Sequence, residues 1–401
     1  MTDPNDFAGS DSQRIAAAIQ AASQDGDRRV ILPLRRPDSL SSRNYWLLDE
    51  AILIPDGMEL LLDGCRVKLS DQARDNFIRT ANCGYGVAQP APVRGIRIIG
   101  RNGAVLEGAD HPRATGDANK TLGVRTYGTD AGRPGEKQTG DWRNIGILLV
   151  RTEDFLVENL TLRNYHCWGV SLEKCSHGEI RGLHFETREV RPVDGTPQPI
   201  LNQDGLDIRK GCHHLVVEDI SGQTGDDLVA LTAIHPEISQ AGTYDYTEVS
   251  GCPLPLADND IHDIALRRIH GYSTGGHQIV RLLNASGLKL YNVVLEDVLD
   301  TSGCEGDGVV CAVAVKIGDR NAAWGGVTPL GDTFNITIRK VDSRCRQCVL
   351  VAGSLCDSRI EDVCNRNPAC EAVACTSGPE NLRNVVVCNA ATLPAASIRE
   401  V

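Results

Sequence analysis

A strand-rich pattern that returns about every 22 residues restricts this chain to very few architectures. From about residue 95 one unit recurs: a short strand with alternating apolar residues, a polar or glycine turn, a second short strand, then Asn, Asp or Gly. GIRIIGRNGAVLEG (95–108) is followed by GILLVRTEDFLVENLTLRNY (146–165) and GVSLEKCSHGEIRGLHFE (169–186). GLDIRKGCHHLVVEDISG (205–222) and DDLVALTA (226–233) continue it, then HQIVRLLNASGLKLYNVVLEDV (277–298) and AVAVKIGD (312–319). NITIRKVDSRCRQCVLVAGSLCDSRIEDV (335–363) and LRNVVVCN (382–389) close the series. Without insertions the step is about 21 to 23 residues, as from Gly146 to Gly169 or Asp204 to Asp226.

A period of this length, made of strands, points to a solenoid or a propeller. The units lack four-strand blade grouping and a leucine-rich consensus, so the expected fold is all-β, a single-stranded parallel β-helix. It is read as one domain over 1–401, with coils over 95–389 whose strands stack about 4.8 Å apart. A solenoid needs its open ends capped. SDSQRIAAAIQAASQDG places Ile15, Ala18, Ile19 and Ala22 at helical spacing, with Ser10 and Gln13 as a capping box and Gly26 as the stop. Cap helix and first strand (RVILP) together occupy 10–33. Four polar inserts interrupt the period, at 109–144, 187–203, 235–262 and 318–334. They carry Tyr127, Trp142, Tyr244, Tyr246 and Trp324, which either wall a groove as sugar-stacking platforms or decorate the surface.

Aromatic residues make up only 4% of the chain, so Val, Ile, Leu and Ala must build the core. A net charge of −12 argues against a general nucleic-acid or anionic-membrane binder, and no apolar run reaches membrane-span length. The polar start and fifteen cysteines point to a reducing, cytoplasmic setting. CRQC (345–348) has metal-ligand spacing but no second pair to complete a zinc site, and free cysteine packs as a small hydrophobe. In CHH (212–214), alternation sends the two histidines to opposite faces, which disfavours joint metal binding. The glycines at 95–103 precede no helix and form no nucleotide loop.

Chemistry concentrates where NQDGLDI (202–208), GDDLVAL (225–231) and GGHQIVRLL (275–283) fall on neighbouring coils. Asp204 and Asp226 lie about one coil apart, Asp227 is adjacent, and His277 follows on the next coil. Crowded carboxyls push one another's pKa values apart, which suits glycoside hydrolysis: one acid donates a proton and another activates water. An acidic pair alone is equally an ordinary turn; Asp204 one coil earlier favours the functional reading. Asp207 either bonds the turn or adds a fourth carboxyl. Trp168, beside His166 one motif-bearing coil earlier, either floors a sugar subsite or packs in the coil.

These motifs resemble the pectate-lyase-like right-handed parallel β-helix superfamily, and within it the polygalacturonases of glycoside hydrolase family 28. The family pattern runs N-T-D-G, G-D-D, G-H-G and R-I-K; here stand NQDG (202–205), GDD (225–227), GGHQ (275–278) and AVK (314–316). IIGRNGAVLEG (98–108) and YHCWGVSLEKC (165–175) add support, and the likeness spans about residues 10 to 365. The resemblance implies Asp226 as general acid, with Asp204 and Asp227 holding and activating water for inverting attack. It implies substrate contacts from His277, Lys316 and Asn202, and no metal or organic cofactor. Ala314 replaces the motif arginine that would pair with a uronide carboxylate, and Gln278 replaces a motif glycine. Arg281 and Arg209 are the candidates to substitute for that arginine; otherwise the substrate is not a uronide.

The reading is a glycosidase acting on an oligosaccharide, pectin-derived or another plant glycan, from its end. End action follows from the cytoplasmic setting, where short imported chains are the available substrates, and from inserts able to close a cleft. The alternatives are a β-helix transferase, lyase or epimerase, and a non-catalytic glycan-binding β-helix. Neither nucleic acid nor membrane is an expected partner; a homo-oligomer is left open.

Overall fold

The computed structural model describes residues 1–39, 41–73, 75–84, 87, 90–111, 142–200, 202–234, 256–285, 287–304, 311–322 and 325–392. The helix Asp11–Gln24 closes one end of the coil stack. Both halves of the Ser10–Gln13 capping box form, and Ile15, Ala18, Ile19 and Ala22 are buried. Beyond the helix, Arg29–Leu32 starts a parallel ladder that runs through Glu59–Asp63 and Arg97–Arg101. Coils therefore begin well before residue 95. The early strands Trp46–Leu48, Ile52–Ile54 and Ile78–Thr80 have three residues each, too few to set up a visible alternation. Among the described residues no helix is long and apolar enough to cross a membrane.

Among the described residues one parallel sheet has 16 strands and a second has 10, and sequence-distant strands are neighbours throughout. This is a parallel β-helix. The inward faces form one continuous core of Ile, Leu and Val, with Trp46, Phe77, Phe155 and Phe185 among its few aromatics. Burying such a face offsets the entropy of ordering each coil at roughly 25 cal/mol per Å² of apolar area.

Corners between faces are built from stacked residues with left-handed backbone. Gly182, Asp219, Arg268, Asp297, Lys340 and Asp362 occupy successive register positions, each with φ between 56° and 65°. A second column contains His177, His214, Asp263, Asn292, Asn335 and Asp357. Short polar side chains tolerate this conformation and bond along the column: Asn292 Nδ2 donates to Asp263 Oδ1 at 2.9 Å, and Asn335 Nδ2 to Asn292 Oδ1 at 2.7 Å.

This column overturns the expected geometry of CHH. The positive φ at His214 breaks strand alternation, so both rings sit on one side with Nδ1 of His213 2.8 Å from Nδ1 of His214. His213, His262, Tyr291 and Phe334 then stack in sequence along the outer face. Cys345 and Cys348 are buried in the core, and every cysteine whose side chain is described is a free thiol.

The 187–203 insert forms an antiparallel hairpin, Val190–Val193 with Thr196–Pro199. Two inserts end earlier than the sequence pattern indicates, because Ile261 and Thr333 already open long strands whose polar outer residues mask the alternation. Tyr127, Tyr244, Tyr246, Trp324 and the side chain of Trp142 lie outside the described residues.

Candidate active site

The ten-stranded sheet carries the candidate site on its outer surface. Strands Val170–Glu173, Leu206–Arg209, Val229–Ala233, Gln278–Asn284 and Val313–Ile317 lie in that order. Their register aligns Ser171, Asp207, Ala230, Arg281 and Lys316 in one row across the strands. The acidic turns sit just before these strands, at one edge of the sheet, so backbone stacking alone brings them together.

The step between the two acidic motifs is one residue longer than the sequence spacing implies. Leu206 pairs with Val229, and Gly205 N donates to Asp227 O at 2.9 Å. Asp204 is therefore level with Asp227, while Asp226 N bonds Gln203 O at 3.1 Å. The carboxyls still converge. The Asp227 N–H donates to Asp204 Oδ1 at 3.1 Å and to Asp226 Oδ1 at 3.0 Å. Asp227 Oδ1 accepts the Gln278 N–H at 2.8 Å, which explains how the third motif is tied in from the next coil.

A cavity of about 520 Å³ opens above this group. Asp204, Asp226, Asp227, His277, Lys316, Arg281, Asn202, Trp168 and Arg209 all line it. Sequence reasoning thus brought together residues from five successive strands and their preceding turns. His277 Nδ1 lies 3.1 Å from Asp226 Oδ1, with the histidine half-exposed at the cavity mouth. Arg281 Nη1 lies 3.6 Å from Asp227 Oδ2, so Asp227 has a cation on one oxygen and an N–H on the other. Trp168 belongs to a small buried cluster with Cys83, Ile145, Leu148, Val150 and Cys167, and the Arg209 guanidinium covers its ring at 4.4 Å. Packing and cavity lining are both its roles, and Arg209 occupies one ring face.

The acids differ in their surroundings. Burial raises the Asp226 carboxyl to about 6, helped by the Asp227 charge and opposed by His277 and Arg281. Burial pushes Asp204 well above the ordinary carboxyl range, with the Asp226 charge adding to it. Asp207 is likewise driven up by burial, against the pull of Arg209, and its Oδ2 has no hydrogen-bond partner. Asp226, Asp227 and His277 also place one ligand atom each within 4.8 Å of one another, a spacing that a divalent ion could bridge.

Ala314 is fully buried in the hydrophobic core and does not line the cavity. The cation beside Lys316 is Arg281, its register partner on the preceding strand. Among the described residues, the polar cavity residues Glu189, Thr232, Asp319 and Asn321 escaped the sequence reading, as did the apolar Ala230, Ile234 and Leu283. Glu189 leads into the 187–203 hairpin. Asp319 follows Lys316 by three residues, and Gly318, with φ 68°, turns the chain so that Asp319 Oδ2 reaches Lys316 Nζ at 2.7 Å. The K-I-G-D spacing with its glycine was the available signal.

No family model matches the sequence, and no curated protein matches it. Solved structures do. A polygalacturonase from Erwinia carotovora ssp. carotovora superposes with a TM-score of 0.55 at 13% identity, covering 97% of this chain and 93% of that one. An exopolygalacturonase from Thermotoga maritima gives 0.52 at 14% identity, covering 97% and 91%. An endo-xylogalacturonan hydrolase from Aspergillus tubingensis gives 0.50 at 10% identity, covering 98% and 93%. At these identities the likeness establishes the shared parallel β-helix fold over nearly the whole chain.

Proposed function

We propose that this chain is a glycoside hydrolase that cleaves an oligosaccharide by an inverting acid/base mechanism. Asp226 donates a proton to the leaving oxygen; Asp227 activates the attacking water, which Asp204 helps to hold. The observation that carries this reading is the single Asp227 N–H shared by the carboxyls of Asp204 and Asp226 at the floor of the cavity.

Glycoside hydrolysis needs one carboxyl that keeps its proton above the ordinary carboxyl range and one surrounded by groups that favour negative charge. Asp226, raised to about 6, meets the first need, and its half-exposed partner His277 stands at the mouth. Asp227 meets the second, through Arg281 and the Gln278 N–H. The fold likeness to sugar-acting β-helix proteins is consistent with this chemistry, and polygalacturonases among them make a hydrolytic reading the one to test first.

End action is the finer part of the proposal. The hairpin Val190–Val193 with Thr196–Pro199 lies in the chain between two cavity-lining residues, Glu189 and Asn202, so this insert springs from the cavity rim. An insert at the rim beside the reacting bond favours a chain end over a continuous strand. Screening short plant and microbial oligosaccharides, with Asp226→Asn as control, tests the hydrolytic reading. Release of new reducing ends by the native chain and not by the variant supports it. Unsaturated or transferred products point instead to a lyase or transferase. A ladder of mid-sized products from a polymer would overturn end action.

A further inference from the structure

We infer that Asp319 is a built-in counter-ion that fills the anion seat beside the proposed base, Asp227, so that the glycan bound there carries no carboxylate. The inference rests on the hydrolase reading for the identity of the cavity, and it adds the substrate class.

Arg281 and Lys316 are register partners on adjacent strands, so their side chains rise together from the outer face of the sheet. A guanidinium beside an ammonium is the pairing that a sugar carboxylate needs. Here the seat is taken. Lys316 Nζ donates to Asp319 Oδ2 at 2.7 Å, and Arg281 Nη2 donates to the same oxygen at 3.3 Å. The Asn321 N–H bonds the other oxygen, Oδ1, at 2.9 Å. Three donors from three positions hold this carboxylate in place.

The remaining cation offers no second seat. Arg209 Nε lies 3.2 Å from Glu173 Oε1, both side chains are almost fully buried, and the guanidinium packs over Trp168. Among the described residues, each permanent cation facing the cavity therefore already lies against a carboxylate of the protein. The same wall carries, among the described residues, six acidic side chains: Asp204, Asp207, Asp226, Asp227, Asp319 and Glu189. A uronide would bring one more negative charge into this wall and would have to displace Asp319 Oδ2 from Lys316 and Arg281. A neutral sugar meets no such repulsion. Its hydroxyls face an acceptor-rich rim, and its CH faces meet Ala230, Ile234 and Leu283.

The test is calorimetric and does not depend on cleavage. Trigalacturonic acid and its neutral methyl ester are titrated into Asp226→Asn, a background in which cleavage does not confuse binding, with and without Asp319→Asn. The parent is expected to bind the acid at least about tenfold more weakly than the ester. Asp319→Asn, which keeps the shape and removes the charge, is expected to bind the acid at least about tenfold more tightly, with the gain lost at high salt. If the Asn variant fails to fold, Asp319→Ser replaces it. Tight binding of the acid by the parent overturns the inference, and so does an Asp319 variant with no gain. Failure of the hydrolase reading is seen separately, as activity that survives Asp226→Asn.

Discussion

The Oδ1 atom of Asp204 accepts the backbone N–H of Asp227 at 3.1 Å, across one coil of the β-helix. The same N–H serves Asp226 Oδ1 at 3.0 Å, so one hydrogen is divided between two carboxyl groups. A proton resident on one of them relieves the crowding, and this is the arrangement an acid catalyst requires. The consequences are measurable.

The first concerns pH. A general acid must be protonated, so kcat/KM is expected to fall as pH rises through about 6, the value to which burial brings Asp226. His277, 3.1 Å away, opposes that rise. His277→Gln is therefore expected to move the descending limb to higher pH. A limb that stays in place or moves down contradicts the assignment.

Asp227→Asn removes the proposed base while keeping the shape of the turn and its N–H to both neighbours. Loss of about 10²- to 10⁴-fold in kcat is expected, with little change in KM, because the group acts in the transition state. Initial rates across a substrate series check this. A variant that loses only affinity would place Asp227 among the binding groups.

Stability should move the opposite way for Asp226. Its folded pKa lies above the unfolded value of 3.8, so the native state binds the extra proton between about pH 4 and 6. Stability from this group is present below that window and is lost as pH rises through it. Asp226→Asn is thus expected to be more stable than the native chain at pH 7.5, by up to about 3 kcal/mol. The gain should shrink toward pH 4. Urea midpoints at several pH values measure it; a variant less stable at every pH would contradict the electrostatic account.

Gly205, the motif glycine after Asp204, is required for a steric reason. A Cβ there would lie 2.4 Å from the Leu228 carbonyl oxygen, which is backbone and has little room to yield. Gly205→Ala is expected to cost about 1–3 kcal/mol and to disturb Asp204 with it. An unchanged thermal midpoint would show that the coils can separate without cost.

The coil architecture was legible because inward Val, Ile and Leu recur at a fixed step, and the cap helix was legible from Ser10, Gln13 and its apolar stripe. Pairing was legible only to within one residue. Side-chain spacing gives coil length, whereas the partner of Asp204 is decided by backbone bonds such as Gly205 N to Asp227 O. The corners escaped because left-handed backbone at His214 leaves no mark on composition, and strand alternation then misplaced His213 and His214. All nine candidate site residues line one cavity, yet Asp319 was missed. Its importance lies in a charge pairing made by the Gly318 turn, inside a stretch that reads as an insert.

The central claim is that Asp226 transfers a proton during hydrolysis of a glycosidic bond. It is tested most directly by reducing-end release from a cleaved oligosaccharide, comparing the native chain with Asp226→Asn while circular dichroism verifies the fold. Loss of about 10²-fold or more with the fold intact is the predicted result. Equal rates from the two proteins would contradict it.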